Sequence, residues 1–483
     1  MLSSTLLSFA ALSLVSASKL EHAARQATSA SAPASAPASQ SGSATASVSS
    51  PASASQVPLT VQLASTNPTA VPLSSIVANE ATSATIPLGT TYAAGSTPTA
   101  VTNAPPLPNI ASFNPRLYPA LDTKPPIDSP EVQQWKQEVA ATGLQIPDIS
   151  VTLPGMFCGC PANLDAANNK SRCWWTCGGC TQPSDITDCP TKNTWGLTYD
   201  DGPSFYTPNL LQYLDEQKLH ATFFVVGSRV ISFPATLQTE YMSGHQIGVH
   251  TWSHPPLTTL TNDEIIAELG WTKKAIQDVL GVTPNTMRPP YGDIDDRVRA
   301  ISLAMGLVPV MWTREDAGHT FDTDGKFDLY KQAELSINHF TDFNIHSGLT
   351  SVNQVLNNWQ SILGNASQRD TGFIVLEHDL FEETVQVATG YILPDAIAKG
   401  LKMEPVVTCL NKPLDDAYIQ LNDNKTNPPP VSAGSAAGTI SSGAPGSAQA
   451  TGGVGHNGAV QNVGGSIGML ACTAIFLLAL SSL

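Results

Sequence analysis

The sequence predicts an α/β domain: a distorted (β/α) barrel of about seven parallel strands with a disulfide-rich N-terminal extension. Three observations carry this. From about residue 190 to 415, strand-like runs alternate with amphipathic helical runs, the pattern of parallel strands joined by crossover helices. Six of the eight cysteines crowd between Cys158 and Cys189, just ahead of that alternation. Polar, chemistry-bearing residues fall at the ends of the strand-like runs, where a parallel barrel opens all its loops on one face. An open doubly wound sheet is the alternative arrangement of the same units.

The elements follow in order. "TWGLTYD" reads as the first strand and "TPNLLQYLDEQ" as an amphipathic helix; "ATFFVVG" and "HQIGVH" are the next strands. Thr-Asn-Asp-Glu from Thr261 makes a capping box with Glu264, Ile265, Leu269, Ile276 and Leu280 recur at helical spacing, and Gly281 closes the helix. "LVPVMWT", "GFIVLEHD" and "EPVVT" supply further strands.

Around this domain the composition changes. Residues 28–107 are Ser, Ala, Thr and Pro with almost no charge, a mixture expected to bury too little apolar surface to fold and to serve as an O-glycosylated stalk. The expected layout is a signal peptide at 1–17, stalk and linker at 18–144, a cysteine-rich segment at 145–190, the catalytic domain at 191–415, a second linker at 416–457 and a lipid-anchor propeptide at 458–483. Small residues at Asn457, Gly458 and Ala459 precede an apolar tail with no basic residue after it, which points to GPI attachment at Asn457, with a transmembrane anchor as the alternative. The clustered cysteines read as disulfides of an exported protein, with Cys409 tying the end of the domain to them; a zinc knuckle on Cys177 and Cys180 is the alternative. Sequons at Asn169, Asn365 and Asn424 fit a glycosylated surface protein. A net charge of −16 argues against a nucleic-acid partner, whose phosphates it would repel.

The chemistry concentrates in four short stretches. "LTYDDGPS" places Asp200 and Asp201 side by side after a strand. "HTWSH" sets His250 and His254 four residues apart, which points both rings one way if the segment is a helical turn. Two imidazoles and a carboxylate make a catalytic metal shell with open positions, so one Asp of the pair can bind metal while the other acts as general base towards water. In "MRPPYGD", Arg288 supplies a counter-charge for the two anions, and the turn at Tyr291 offers backbone N–H groups to an oxyanion. "IVLEHD" puts His378 in place as general acid, with Asp316 to orient it, and Leu376 two residues earlier on the same strand face to line a pocket for a methyl group.

"TYDDGPS", "HTWSH", "RPPYG" and "IVLEH", in this order over about residues 190 to 410, resemble the motifs of the NodB-type polysaccharide deacetylases, fungal chitin deacetylases among them. The resemblance implies a distorted (β/α) barrel that uses zinc or cobalt to hydrolyse N-acetyl groups of a β-1,4-linked polymer. It also implies Asp200 as base, Asp201, His250 and His254 as metal ligands, Arg288 bracing Asp200, Tyr291 giving its N–H, and His378 as acid paired with Asp316. The family's Asp-x-x-Asp-Trp run is matched here by Thr313-Arg314-Glu315-Asp316-Ala317, with Ala317 in place of Trp and Trp312 nearby as a groove wall or a core residue. The implied activity is release of acetate from cell-wall chitin to give chitosan, at the wall and the outer face of the plasma membrane. A glycan-binding wall mannoprotein without catalysis, or a deacetylase of another acetylated polysaccharide, is the alternative.

Overall fold

The computed structural model describes residues 58–78, 85–153, 163–316, 319–320, 342–419 and 421. Ten strands are β1 (Thr194–Gly196), β2 (Thr198–Asp200), β3 (Thr222–Val225), β4 (Gln246–Val249), β5 (Thr286–Met287), β6 (Val308–Pro309), β7 (Arg314–Asp316), β8 (His319–Thr320), β9 (Phe373–Ile374) and β10 (Lys402–Glu404). One sheet has the order β2-β3-β4-β5-β6 and a second β10-β1-β9, both parallel throughout; β7 and β8 form a separate antiparallel pair. Because β1 and β2 are one run interrupted at Leu197, the described residues hold seven parallel segments, as the sequence predicts.

Single hydrogen bonds join the two sheets at their rims. Thr313 N–H donates to Ile374 O at 3.1 Å and Asp200 N–H to Glu377 O at 2.9 Å. The Thr198 hydroxyl donates to Val375 O at 2.7 Å. The chain after β9 thus lies between the continuation of β6 and strand β2, and the sheet curls into a distorted, incompletely laddered barrel. All parallel strands end on the same face, where the acid pair, both histidines, Arg288 and His378 emerge.

The helices form where the periodicity places them. Thr207–Gln217 packs Leu210, Leu211 and Leu214 inward. Asn262–Leu280 starts at the Thr261–Glu264 capping box and ends at Gly281, whose φ of 81° is the left-handed conformation that glycine adopts without strain. "EPVVT" departs from expectation: the strand stops at Glu404, and Val406–Cys409 is a helical turn following Pro405. The Val406 and Val407 N–H groups bond side chains of Thr222 and Gln246 instead of a strand neighbour.

The stalk and linker expected up to residue 144 also needs correction, because the described residues from 58 onwards lie against the domain. Ile76, Val101 and Leu107 are buried, Tyr391 Oη donates to Val71 O, and the helix Pro130–Ala141 buries Val132 and Val139. Sparse apolar residues in a Ser/Ala/Pro background suffice when each fills a groove of a preformed surface. The cysteine expectation holds where it is described: Cys189 bonds Cys409, Cys173 bonds Cys180, and Cys177 is also disulfide-bonded, which removes the zinc-knuckle alternative. The Cys189–Cys409 bridge lies against Gly196 of β1. Asn169 is exposed and Asn365 partly so, while Asn424 and Asn457 lie outside the described residues. Among the described residues no helix is long and apolar enough to cross a membrane.

The docked N-terminal arm yields a test. A Cβ at Gly270 would collide with the ring of Trp135, which meets Trp271 edge-on at 5.4 Å. Gly270→Ala should therefore destabilise the chain by about 1–3 kcal/mol despite the better helix former. In a Trp135→Ala background the same substitution should stabilise by about 1 kcal/mol. Urea denaturation of the four variants reads both signs; a stabilising effect in both backgrounds would mean that the arm does not sit there.

Candidate active site

Strand β2 delivers Asp200 and Asp201 to the rim, both buried. Asp201 takes a left-handed φ of 75°, and Gly202 leaves room where any Cβ would strike the Asp379 carboxylate. Both carboxylates approach His250 Nε2, Asp201 at 3.2 Å and Asp200 at 3.7 Å, and their other partners differ. Asp200 Oδ1 accepts from Arg288 Nη1 at 2.9 Å. Arg288 is fully buried, donates also to the Thr198 hydroxyl at 2.8 Å and to Val310 O at 3.2 Å, and lies over the Phe224 ring at 4.4 Å.

Asp201 faces the histidines. His250 Nε2 lies 3.2 Å and His254 Nε2 3.1 Å from its Oδ1, and the three ligand atoms fall within 4.8 Å of one another. The His250–His254 stretch is a loop with left-handed Thr251 (φ 64°) and His254 (φ 59°), not the helical turn the spacing suggested, yet its rings still converge, with centroids 4.9 Å apart. His250 Nδ1 is bonded to Arg288 O at 2.8 Å; a carbonyl can only accept, so Nδ1 carries a proton and Nε2 is the nitrogen left to face Asp201. Burial, opposed by Asp201, pushes the pKa of His254 down and favours its neutral form. Burial also resists ionisation of Asp201, but a proton carried by His254 or donated from His250 outweighs it in the metal-free site and holds that carboxyl well below its ordinary range. Three ligand atoms thus converge on one spot, and the buried Asp201 Oδ1 has no well-aligned hydrogen-bond donor among the described residues. The donor set fits a divalent transition metal, for which two imidazoles and a carboxylate are a common shell.

His378 lies next to this cluster, paired by an isolated parallel bridge with Asp200. Its partner is Asp342, which the sequence reading missed: Oδ1 meets His378 Nδ1 at 2.6 Å and Oδ2 accepts the His378 backbone N–H at 3.0 Å. Asp342 is thus the carboxylate that meets the His378 ring nitrogen, while the expected pairing with Asp316 rests on a side chain, in β7, that lies outside the described residues. Asp342 is followed by Phe343, whose ring sits 5.6 Å from that of His378. The signal was present in "HFTDF", an Asp-aromatic pair close to the family's Asp-x-x-Asp-Trp pattern, displaced downstream by an intervening segment. Burial lowers the His378 pKa, but Asp342, with smaller contributions from Asp201 and Asp200, overcomes it and pushes the value up to about 10.

The remaining expected residues frame the cluster. Tyr291, at a left-handed φ of 61°, is half exposed and its ring lies 4.6 Å from that of His254. Leu376 is buried, one strand repeat before His378. Trp312 is buried edge-on against Trp175 at 4.6 Å, with the Arg288 guanidinium 5.8 Å from its ring, which fits the core role.

NMR titration of the metal-free protein tests the His378–Asp342 pair. An amide cannot stabilise the imidazolium as a carboxylate does, so Asp342→Asn should lower the His378 midpoint by about 1–3 pH units. Asp316→Asn should leave it in place; the opposite pattern would restore Asp316 as the partner.

Residues 187–310 match the family model described as polysaccharide deacetylase. The chain is 49% identical over 359 residues to chitin deacetylase 1 of Cryptococcus neoformans var. grubii, covering 73% of this chain and 71% of that protein. It is 37% identical over 259 residues to a chitin deacetylase of Amylomyces rouxii, covering 52% of this chain and 56% of that one. Among solved structures, the chitin deacetylase of Colletotrichum lindemuthianum matches at 26% identity with a TM-score of 0.39, over 48% of this chain and 94% of that chain. With its acid pair, two histidines and buried arginine gathered at one barrel rim, the chain belongs to the polysaccharide deacetylase family.

Proposed function

We propose that the protein removes N-acetyl groups from chitin, giving chitosan and acetate. The observation that carries this is the convergence of Asp200, Asp201, His250, His254 and His378 at one rim, together with 49% identity to a fungal chitin deacetylase. Asp201, His250 and His254 would hold one divalent ion, zinc or cobalt. When bound, such an ion supplies a Lewis acid that polarises a carbonyl and lowers the pKa of water.

The chain's own residues then divide the proton work. Asp200, with one oxygen tied to Arg288 and the other 3.7 Å from His250 Nε2, accepts the proton of the attacking water. The hydrogen bond from Arg288 keeps Asp200 oriented. The Tyr291 backbone N–H donates to the oxyanion as the amide carbon becomes tetrahedral. His378, protonated and held through Nδ1 by Asp342, gives a proton from Nε2 to the departing sugar nitrogen, so the C–N bond breaks to an amine and acetate. Leu376 would face the acetyl methyl group. The disulfides and sequons support a location outside the cell, with the GPI site at Asn457 as the proposed attachment.

Acetate release from chitin oligomers, with and without a chelator, tests the reading. The wild type should release acetate and lose that activity on chelation. Asp200→Asn should keep its metal while turnover falls by about 10²–10⁴. His254→Ala should lose both metal and turnover. Glycan binding without any acetate release would instead mark a wall protein that only holds the polymer.

A further inference from the structure

The loop that carries both histidines is fastened at its middle by a residue outside the four motifs. Glu268, on the helix Asn262–Leu280, is fully buried. Its Oε2 accepts the backbone N–H groups of Trp252 at 2.8 Å and Ser253 at 2.9 Å, and its Oε1 accepts the Ser253 hydroxyl at 2.6 Å. Those two residues lie between His250 and His254, in a loop bent by left-handed φ angles at Thr251 and His254. Such a bend persists only where the surroundings over-determine it. From the other side the Thr251 and Trp252 carbonyls accept the N–H groups of Gly227 and Ser228, and Trp252 Nε1 donates to Ala120 O at 3.1 Å. Two buried N–H groups remain in mid-loop, and Glu268 is their acceptor.

We propose that Glu268 is a positioning residue, whose carboxylate folds the Trp252–Ser253 backbone so that His254 Nε2 reaches the same point as His250 Nε2. This rests on the metal reading of Asp201, His250 and His254. Glu268 touches neither the ion nor the substrate, and acts through the loop. The hydrogen-bond pattern, not the charge, carries the effect. A glutamine can accept both N–H groups with its Oε1 and donate from Nε2 to the Ser253 hydroxyl, whereas an alanine leaves all three donors without an acceptor.

Cobalt(II) titration of the full chain, read by ligand-field absorption and by competition with a chelator, tests this. The wild type should bind one equivalent; if it binds none, the metal site itself falls and this inference with it. With the wild type binding, Glu268→Ala should weaken cobalt by about 10–100-fold and alter the absorption bands, as loss of a ligand-orienting partner does. Glu268→Gln should remain near wild type, and Ser253→Ala should weaken binding roughly fivefold, the worth of one hydrogen bond. Should Glu268→Ala fail to fold, the last two variants decide. Wild-type affinity and spectrum in Glu268→Ala or in Ser253→Ala, or a Glu268→Gln variant as impaired as expected for the alanine, would overturn the proposal.

Discussion

Two imidazole nitrogens aimed at one carboxylate oxygen repel one another as bare lone pairs, and the active-site rim is organised around holding them there. His250 is fixed by the Arg288 carbonyl, His254 by its bent loop, and Asp201 stands on a left-handed backbone. Asp201, Thr251, His254 and Tyr291 are all non-glycine residues at positive φ, each costing on the order of 1–3 kcal/mol. Such strain gathered at one rim is the mark of a site whose geometry is maintained against local preference.

The same arrangement explains how two adjacent acids take different roles. One oxygen of Asp200 is tied to a buried guanidinium that also bonds Thr198 and Val310, whereas Asp201 meets both imidazoles and no guanidinium. A cation on one side and lone pairs on the other separate an anchored base from a ligand, although the two residues are neighbours in sequence. His378 completes the set, its imidazolium stabilised by Asp342 in a rim otherwise crowded with carboxylates. Burial pushes Asp379 up to about 7 and Glu377 well above its ordinary range, with neighbouring acids adding to each shift, so this acid-rich region carries less negative charge than its composition suggests.

Elements outside the barrel contribute to the rim as well. Tyr118 stacks on Trp252 of the histidine loop at 6.1 Å, and Asp122 accepts the Ser228 hydroxyl at 2.9 Å. The Cys189–Cys409 bridge, spanning 220 residues of sequence, joins the chain before β1 to the segment after β10, and a loop of that size is where a cross-link removes most unfolded-state entropy. A segment poor in apolar residues thus serves the fold, because the barrel offers it a surface to line.

By itself the sequence determined the parallel α/β class, the long capped helix, the acid pair, the spaced histidines, Arg288 and His378, since these are set by local periodicity and by short motifs at strand ends. Only the tertiary structure decided that Asp342 pairs with His378, that Trp312 belongs to the core, that the arm before residue 144 packs on the domain, and that Glu268 accepts the N–H groups of the histidine loop. Each of those depends on contacts between residues far apart in the chain or across a segment of arbitrary length. Spacing along a sequence carries no record of which distant side chain arrives first at a buried nitrogen or a vacant groove.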